Sequence, residues 1–192
     1  MFEVLASLKP YYYYLIGEGI KKIEIRKSAI KAKNWNHKVN FYMSKDDKSF
    51  AKIPKQFQEK YRTHFGKVGL EVECHHVYDL SYVPNEYIKM PQGTWETIVC
   101  ENACLSLEEL EKYSGGKRIF GWYVDQVGLL DNPRNLSEFN LPCPKNVSCI
   151  NCEYTSFDEN YEFYCRAIHI ERPPQSYCYV EAYEKENSIF RC

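Results

Sequence analysis

The chain has 192 residues, of which 44% are hydrophobic, and its formal net charge at pH 7 is −1. This length predicts one domain over residues 1–192, and the charge excludes a protein that binds nucleic acids through overall positive charge alone. We expect no signal peptide and no membrane partner, and therefore a soluble cytoplasmic protein, because no apolar stretch has the required length. Nine cysteines in that compartment point to metal binding or buried thiols rather than to disulfides.

Helix and strand signals alternate irregularly along the chain, which predicts an α+β fold. Strands are predicted near residues 3–7, 22–26, 38–43, 67–74, 119–127, 166–170 and 176–182. Helices are predicted over residues 10–16, 54–65 and 106–113. Pro10 lies in the first turn of the first helix, and Ser106 and Glu109 form a capping box at the start of the third. The Pro, Asn and Gly content of residues 84–102 predicts a long loop.

Residues 19–26 read Gly-Ile-Lys-Lys-Ile-Glu-Ile-Arg and combine a turn with a strand. Gly19 permits a tight turn, and the polar and apolar residues after it alternate as they do in a half-buried strand. Glu24 and Arg26 therefore share one strand face, beside Lys21 at the turn. Such a group of charges can orient a polar ligand, although a solvated strand with a surface ion pair has the same pattern.

A basic patch follows from the same segment. Its six basic residues are Lys21, Lys22, Arg26, Lys27, Lys31 and Lys33. Glu24 is the single acidic residue among them. The patch would supply the phosphate attraction that the net charge lacks, although ordinary surface lysines account for the pattern equally well.

The pattern G-x-K-x-x-E-x-R at residues 19–26 resembles the ASCH domain family, small PUA-like barrels that handle RNA or single nucleosides. Pro-Pro-Gln-Ser at residues 173–176 resembles a branch of that family often encoded by bacteriophages. The resemblance implies a small mixed PUA-like β-barrel with peripheral helices, in the α+β class. It also places a family glutamate at Glu71, with Glu73 as the competing register.

The resemblance implies that RNA or a nucleoside binds in a polar pocket next to the basic patch. The residues expected to line this pocket are Ser7, Lys9, Lys21, Glu24, Arg26, Glu71, Trp122, Gln175 and Ser176. Trp122 can stack on an unpaired base, and the polar side chains of Gln175 and Ser176 can read base edges.

Two alternatives stay open. Relatives of this fold include small amidohydrolases that cleave N4-acetylcytidine, and the resemblance to them implies Glu71 as the base and Lys21 as the group that orients the nucleophile or stabilises the oxyanion. The chain has Glu24 where those hydrolases have a threonine, which favours binding over turnover. The second alternative is a phage accessory protein that acts through a host protein partner.

A cysteine-rich lobe at about 141–166 holds Cys143, Cys149, Cys152 and Cys165 in the spacing C-x5-C-x2-C-x12-C. The C-x2-C pair is the zinc-knuckle element, whose short turn points two thiolates at one ion. The segment has few aliphatic residues, so a metal would supply the free energy that orders it. We predict a structural Zn²⁺ at these four cysteines, with four unligated thiols as the alternative.

Overall fold

A mixed six-stranded sheet organises the chain. The structure is a computed structural model that describes residues 2–30, 37–80, 89–90, 93–143, 155–157, 163–165, 168 and 170–181. Its strands are β1 (Phe2–Leu8), β2 (Ile23–Arg26), β3 (His37–Met43), β4 (Val68–Asp79), β5 (Lys89–Met90), β6 (Gly93–Thr94), β7 (Phe120–Arg134), β8 (Thr155–Phe157), β9 (Phe163–Cys165) and β10 (Tyr177–Glu181). Its helices are α1 (Pro10–Gly17), α2 (Asp47–Phe50), α3 (Lys55–Arg62), α4 (Trp95–Ala103) and α5 (Leu107–Ser114), with a 3-10 turn at Leu136–Glu138.

The strand order of the main sheet is β10-β1-β3-β4-β7-β2. β1 and β3 run parallel, and the other neighbours run antiparallel. The parallel pair requires a crossover, which the chain makes through α1 and β2. This sheet with its surrounding helices confirms the α+β prediction. Closure into a barrel and the zinc-knuckle insertion stay predictions.

Two apolar clusters lie on the two faces of the sheet. The larger one packs α1 and α3 onto the sheet, with Tyr13, Tyr61 and Phe41 fully buried in it. The smaller one includes Leu5 and Phe139. Leu5 belongs to the smaller cluster, and its neighbour Ala6 belongs to the larger one. Adjacent side chains of β1 therefore face opposite sides of the sheet, as they do in a strand that is buried on both faces.

A third cluster holds β2 in place. Ile23 and Ile25 of β2 pack with Val99 and Ala103 of α4. Full burial of each aliphatic side chain contributes about 1.5–3 kcal/mol. This packing turns the other face of β2, which carries Glu24, away from the third cluster.

The predicted helices are present as α1, α3 and α5, and the capping box between Ser106 and Glu109 is formed at the start of α5. The prediction of a loop over 84–102 is wrong where the short strands β5 and β6 and the helix α4 occupy that segment. Val99 and Ala103 are four residues apart, so they share the helix face that packs on β2. Tertiary packing therefore overrides the weak local signal. Of the strand predicted over 166–170, residues 166, 167 and 169 lie outside the described residues.

In the part of the chain that the structure describes, no helix has the length and apolar character needed to cross a bilayer.

Candidate ligand-binding cavity

The turn between α1 and β2 sets the position of the motif. Gly19 has a φ of 68°, in the left-handed region where glycine is favoured. The amides of Ile20 and Lys21 both donate to the carbonyl of Leu15, at 2.8 and 2.9 Å. These bonds satisfy the C-terminal end of α1 and lead the chain directly into β2.

Lys21, Glu24 and Arg26 form one buried charged cluster, which we call the charged triad. Lys21 is 2% exposed, and Glu24 and Arg26 are each 7% exposed. Glu24 Oε2 lies 3.5 Å from Lys21 Nζ, and Glu24 Oε1 lies 3.0 Å from Arg26 Nε. One carboxylate therefore faces two cations, which reduces the free-energy cost of burying all three.

Lys21 is held by the C-terminal end of α4. Its Nζ donates to the carbonyl of Ala103 at 2.6 Å and lies 5.3 Å from the centre of the Tyr12 ring. Burial lowers the pKa of Lys21, and the Glu24 carboxylate offsets part of that shift.

Arg26 joins three parts of the chain that are far apart in sequence. Its two terminal nitrogens donate to the carbonyls of Ser7 at 2.6 Å and Ser176 at 3.1 Å. Its guanidinium carbon lies 5.5 Å from the centre of the Trp122 ring. Trp122 is fully buried and donates through Nε1 to the carbonyl of Ser28 at 3.1 Å. The Trp122 indole therefore packs against the Arg26 guanidinium.

An open cavity of about 760 Å³ lies above the charged triad. Six of the residues expected at the ligand site line it: Ser7, Lys9, Lys21, Glu24, Arg26 and Gln175. The cavity wall does not include Glu71, Trp122 or Ser176. The structure thus brings together residues from β1, β2 and the segment before β10.

The remaining walls come from α1, α5 and the prolines before Gln175. Tyr12 of α1 lines the cavity, as do Glu109, Lys112 and Tyr113 of α5. These residues were not predicted, because a surface helix gives no local sign of what its exposed face borders. Burial raises the pKa of both Tyr12 and Tyr113; Glu109 and then Glu24 add to the rise at Tyr12, and at Tyr113 Arg26 lowers the pKa while Glu24 raises it. Both rings therefore lie within the electrostatic field of the triad.

Glu71 belongs to a different polar cluster. Its carboxylate oxygens lie 2.8 Å from an Arg134 nitrogen and 3.1 Å from Lys38 Nζ. Asn40 lies opposite both Leu5 and Glu71 in the strand registers, so Glu71 shares a sheet face with the smaller apolar cluster. Lys21 lines the cavity and Glu71 does not, so the catalytic pair that the resemblance implied is not assembled in this cavity.

Glu73, the competing position, does not line the cavity either. Its carboxylate lies 3.3 Å from His75 Nε2.

The basic patch is divided. Lys21 and Arg26 are buried beneath the cavity, whereas Lys22 and Lys27 are exposed. Lys27 Nζ lies 5.1 Å from the centre of the Tyr113 ring. Lys31 and Lys33 lie outside the described residues.

The predicted zinc ligands fall largely where the structure gives no description. Cys149 and Cys152 lie outside the described residues, as does the side chain of Cys165, and Cys143 is exposed. No group of three or more His, Cys, Asp or Glu side chains that could hold a metal occurs among the residues searched, which are the described ones. The zinc site stays a prediction.

Comparison with known proteins adds evidence on the fold. No family model and no curated protein matches the chain. Among solved structures, a serine-to-alanine mutant of the ASCH protein from Zymomonas mobilis is 15% identical, with a TM-score of 0.52, over 93% of this chain and 88% of that one. The chain therefore has the fold of an ASCH protein.

The unmutated Zymomonas mobilis ASCH structure covers 93% of this chain and 87% of its own, at 14% identity and a TM-score of 0.45. A tyrosine-to-phenylalanine mutant is 16% identical over 70% of this chain and 76% of its own, also at 0.45. At such identity the likeness to an ASCH protein concerns the backbone, and the chemistry of the site must be argued from its residues.

Proposed function

We propose that the protein binds RNA, or a nucleoside or nucleotide, in the cavity above the charged triad. The observation that carries this proposal is a ligand-sized cavity whose floor is a buried carboxylate between two cations. Sites for small molecules typically have volumes of about 300–1,000 Å³, and 760 Å³ falls in that range. Buried charges at the base of such a cavity are typical of a recognition site.

The walls of the cavity suit a nucleotide. Tyr12 and Tyr113 offer aromatic faces on which an unpaired base can stack. Lys9 and Lys112 line the cavity and are exposed to solvent, so they can attract a phosphate at its mouth. The exposed Lys22 and Lys27, on either side of β2, add further positive charge near the ends of that strand.

Amide hydrolysis of an N4-acylated cytidine is the second candidate. One observation favours it: burial lowers the pKa of Lys21, which lies beside a carboxylate inside the cavity. Because Glu71 does not line the cavity, Glu24 would have to activate water. Both oxygens of Glu24 already face cations, which leaves binding as the better supported function.

The binding proposal is tested by fluorescence anisotropy with a labelled single-stranded RNA. The titrations are repeated at salt concentrations from about 50 to 200 mM. The variant is Lys9→Ala/Lys112→Ala at the cavity mouth. The matched control is Lys52→Ala/Lys55→Ala, which removes the same charge at two exposed positions outside the cavity wall. We expect the cavity variant to weaken binding about fivefold or more and to reduce the salt slope by about 0.7 for each phosphate that the protein no longer neutralises.

The control pair should change affinity less than about twofold. Equal losses in both pairs would show that the attraction is non-specific. Absence of RNA and nucleotide binding in the wild-type protein would refute the proposal and leave a protein partner as the function to test. Release of acetate from N4-acetylcytidine, abolished by Glu24→Gln, would establish the hydrolase alternative.

A further inference from the structure

We infer that the cavity selects nucleobases that carry an exocyclic amino group, and that Glu24 is the residue that selects them. This inference deepens the proposed function and rests on it.

The protein itself engages part of the donor set of the charged triad. The two terminal nitrogens of Arg26 donate to the carbonyls of Ser7 and Ser176, and Arg26 Nε lies 3.0 Å from Glu24 Oε1 without a hydrogen bond. Lys21 Nζ donates to the carbonyl of Ala103 and faces Glu24. These bonds direct both terminal nitrogens of Arg26 and the ammonium of Lys21 at backbone carbonyls.

Glu24, in contrast, keeps acceptor capacity. An ionised carboxylate has about four lone-pair positions on its two oxygens, and the contacts with Lys21 and Arg26 account for at most one on each oxygen. A carboxylate accepts hydrogen bonds without donating them. A ligand group that forms a hydrogen bond with Glu24 must therefore be a hydrogen-bond donor.

Adenine, cytosine and guanine present an amino group that fulfils this requirement. Uracil presents one N–H between two carbonyls, whose lone pairs would face the carboxylate. Because Tyr12 and Tyr113 line the same cavity as Glu24, an aromatic platform lies next to the acceptor. With Lys9 and Lys112 at the mouth, the cavity has an acceptor at its floor and cations at its opening, which matches the polarity of an aminated base joined to a phosphate.

Calorimetric titration of the wild-type protein with nucleoside monophosphates tests this inference without any mutation. AMP is compared with purine riboside monophosphate, which lacks only the amino group, and CMP with its 4-unsubstituted analogue. CMP is also compared with UMP. We expect about a tenfold or greater loss of affinity in each pair, since a site built to bond an N–H group rejects analogues that lack it.

Glu24→Gln then tests the residue. Its amide both donates and accepts, so the preference for CMP over UMP should fall to about threefold or less. Glu108→Gln is the matched control, because it makes the same charge change at an exposed position of α5 that does not line the cavity. It should leave the preference unchanged.

Equal affinity for amino and deamino partners, or tighter binding of UMP, would overturn the inference while leaving the proposed function standing. An unchanged preference in Glu24→Gln, or an equal loss of the preference in Glu108→Gln, would show that Glu24 does not select the base and would also overturn the inference. Absence of binding by every nucleotide and by RNA would instead refute the proposed function itself. If Glu24→Gln does not fold, the comparison of amino and deamino ligands with the wild-type protein still decides the matter.

Discussion

Replacement of Arg26 by alanine should be one of the more destabilising single changes near the cavity. The guanidinium contacts Glu24 on its own strand, the carbonyl of Ser7 at the end of β1 and the carbonyl of Ser176 before β10. Alanine would leave those two carbonyls without this donor and would leave the buried Glu24 with Lys21 as its remaining cation of the triad.

The magnitude follows from the burial of these groups. A hydrogen bond to a charged group contributes about 1.5–3 kcal/mol, and removing one partner of a buried ion pair costs about 3–5 kcal/mol. These contributions overlap, because Glu24 keeps Lys21, so we expect a loss of about 4 kcal/mol in the free energy of unfolding. For a chain of this size that loss lowers the Tm by roughly 8–16 °C.

Thermal and urea unfolding followed by circular dichroism measure the loss. Arg62→Ala is the control, because the Arg62 side chain is 60% exposed, lies 3.7 Å from an exposed Asp47 and packs over the rings of Phe50 and Phe65. An exposed ion pair and exposed cation–π contacts contribute about 1 kcal/mol each or less. A double-mutant cycle of Arg26→Ala with Glu24→Ala should give a coupling energy of about 1 kcal/mol or more. An Arg26→Ala variant as stable as the Arg62→Ala control would refute the reasoning.

Three further predictions concern other parts of the molecule. We propose about one zinc per chain in the cysteine-rich lobe, since the β8–β9 pairing places the backbone of Cys165 opposite Thr155, three positions after Cys152. Elemental analysis should find the metal in the wild-type protein and should find less of it in Cys152→Ser. A metal-free wild-type protein with freely alkylated thiols would contradict this proposal. Burial lowers the pKa of His64 below 6.5, with smaller effects of nearby lysines, so its unfolded form takes up a proton first as the pH falls. The contribution of neutral His64 to stability is complete above about pH 6.5 and is lost as the pH falls toward the pKa of His64 in the folded protein. The difference in unfolding free energy between wild type and His64→Gln should therefore shrink from about pH 7.5 to pH 5. A constant difference would contradict the assignment. Glu71→Gln should lower stability, because Arg134 loses its ionised partner, yet leave nucleotide affinity within about twofold; a tenfold weaker affinity would show that Glu71 acts on the ligand.

Local signals were sufficient for the helix ends and for the charged triad. The capping box of Ser106 and Glu109 starts α5 as the sequence predicts, and the left-handed Gly115 at φ 56° ends it. Both are interactions within one turn. Likewise, Glu24 and Arg26 meet because side chains two residues apart on a strand share a face.

The helix α4 could not be predicted in this way. Its apolar residues show little local periodicity, and the glycine and proline before Trp95 suggest a loop. Val99 and Ala103 are stabilised by packing on β2, about 75 residues earlier in the chain, and that contact exists only after the sheet forms.

The cavity shows the same division between sequence and tertiary structure. The sequence by itself determined that Lys21, Glu24 and Arg26 lie together, because a turn and a short strand are enough to place them. Only the tertiary structure decided that α5 supplies Tyr113 to the same cavity and that Glu71 lies elsewhere with Arg134. Which side chains meet across a sheet depends on strand order and register, and these are set by long-range packing that no local pattern encodes.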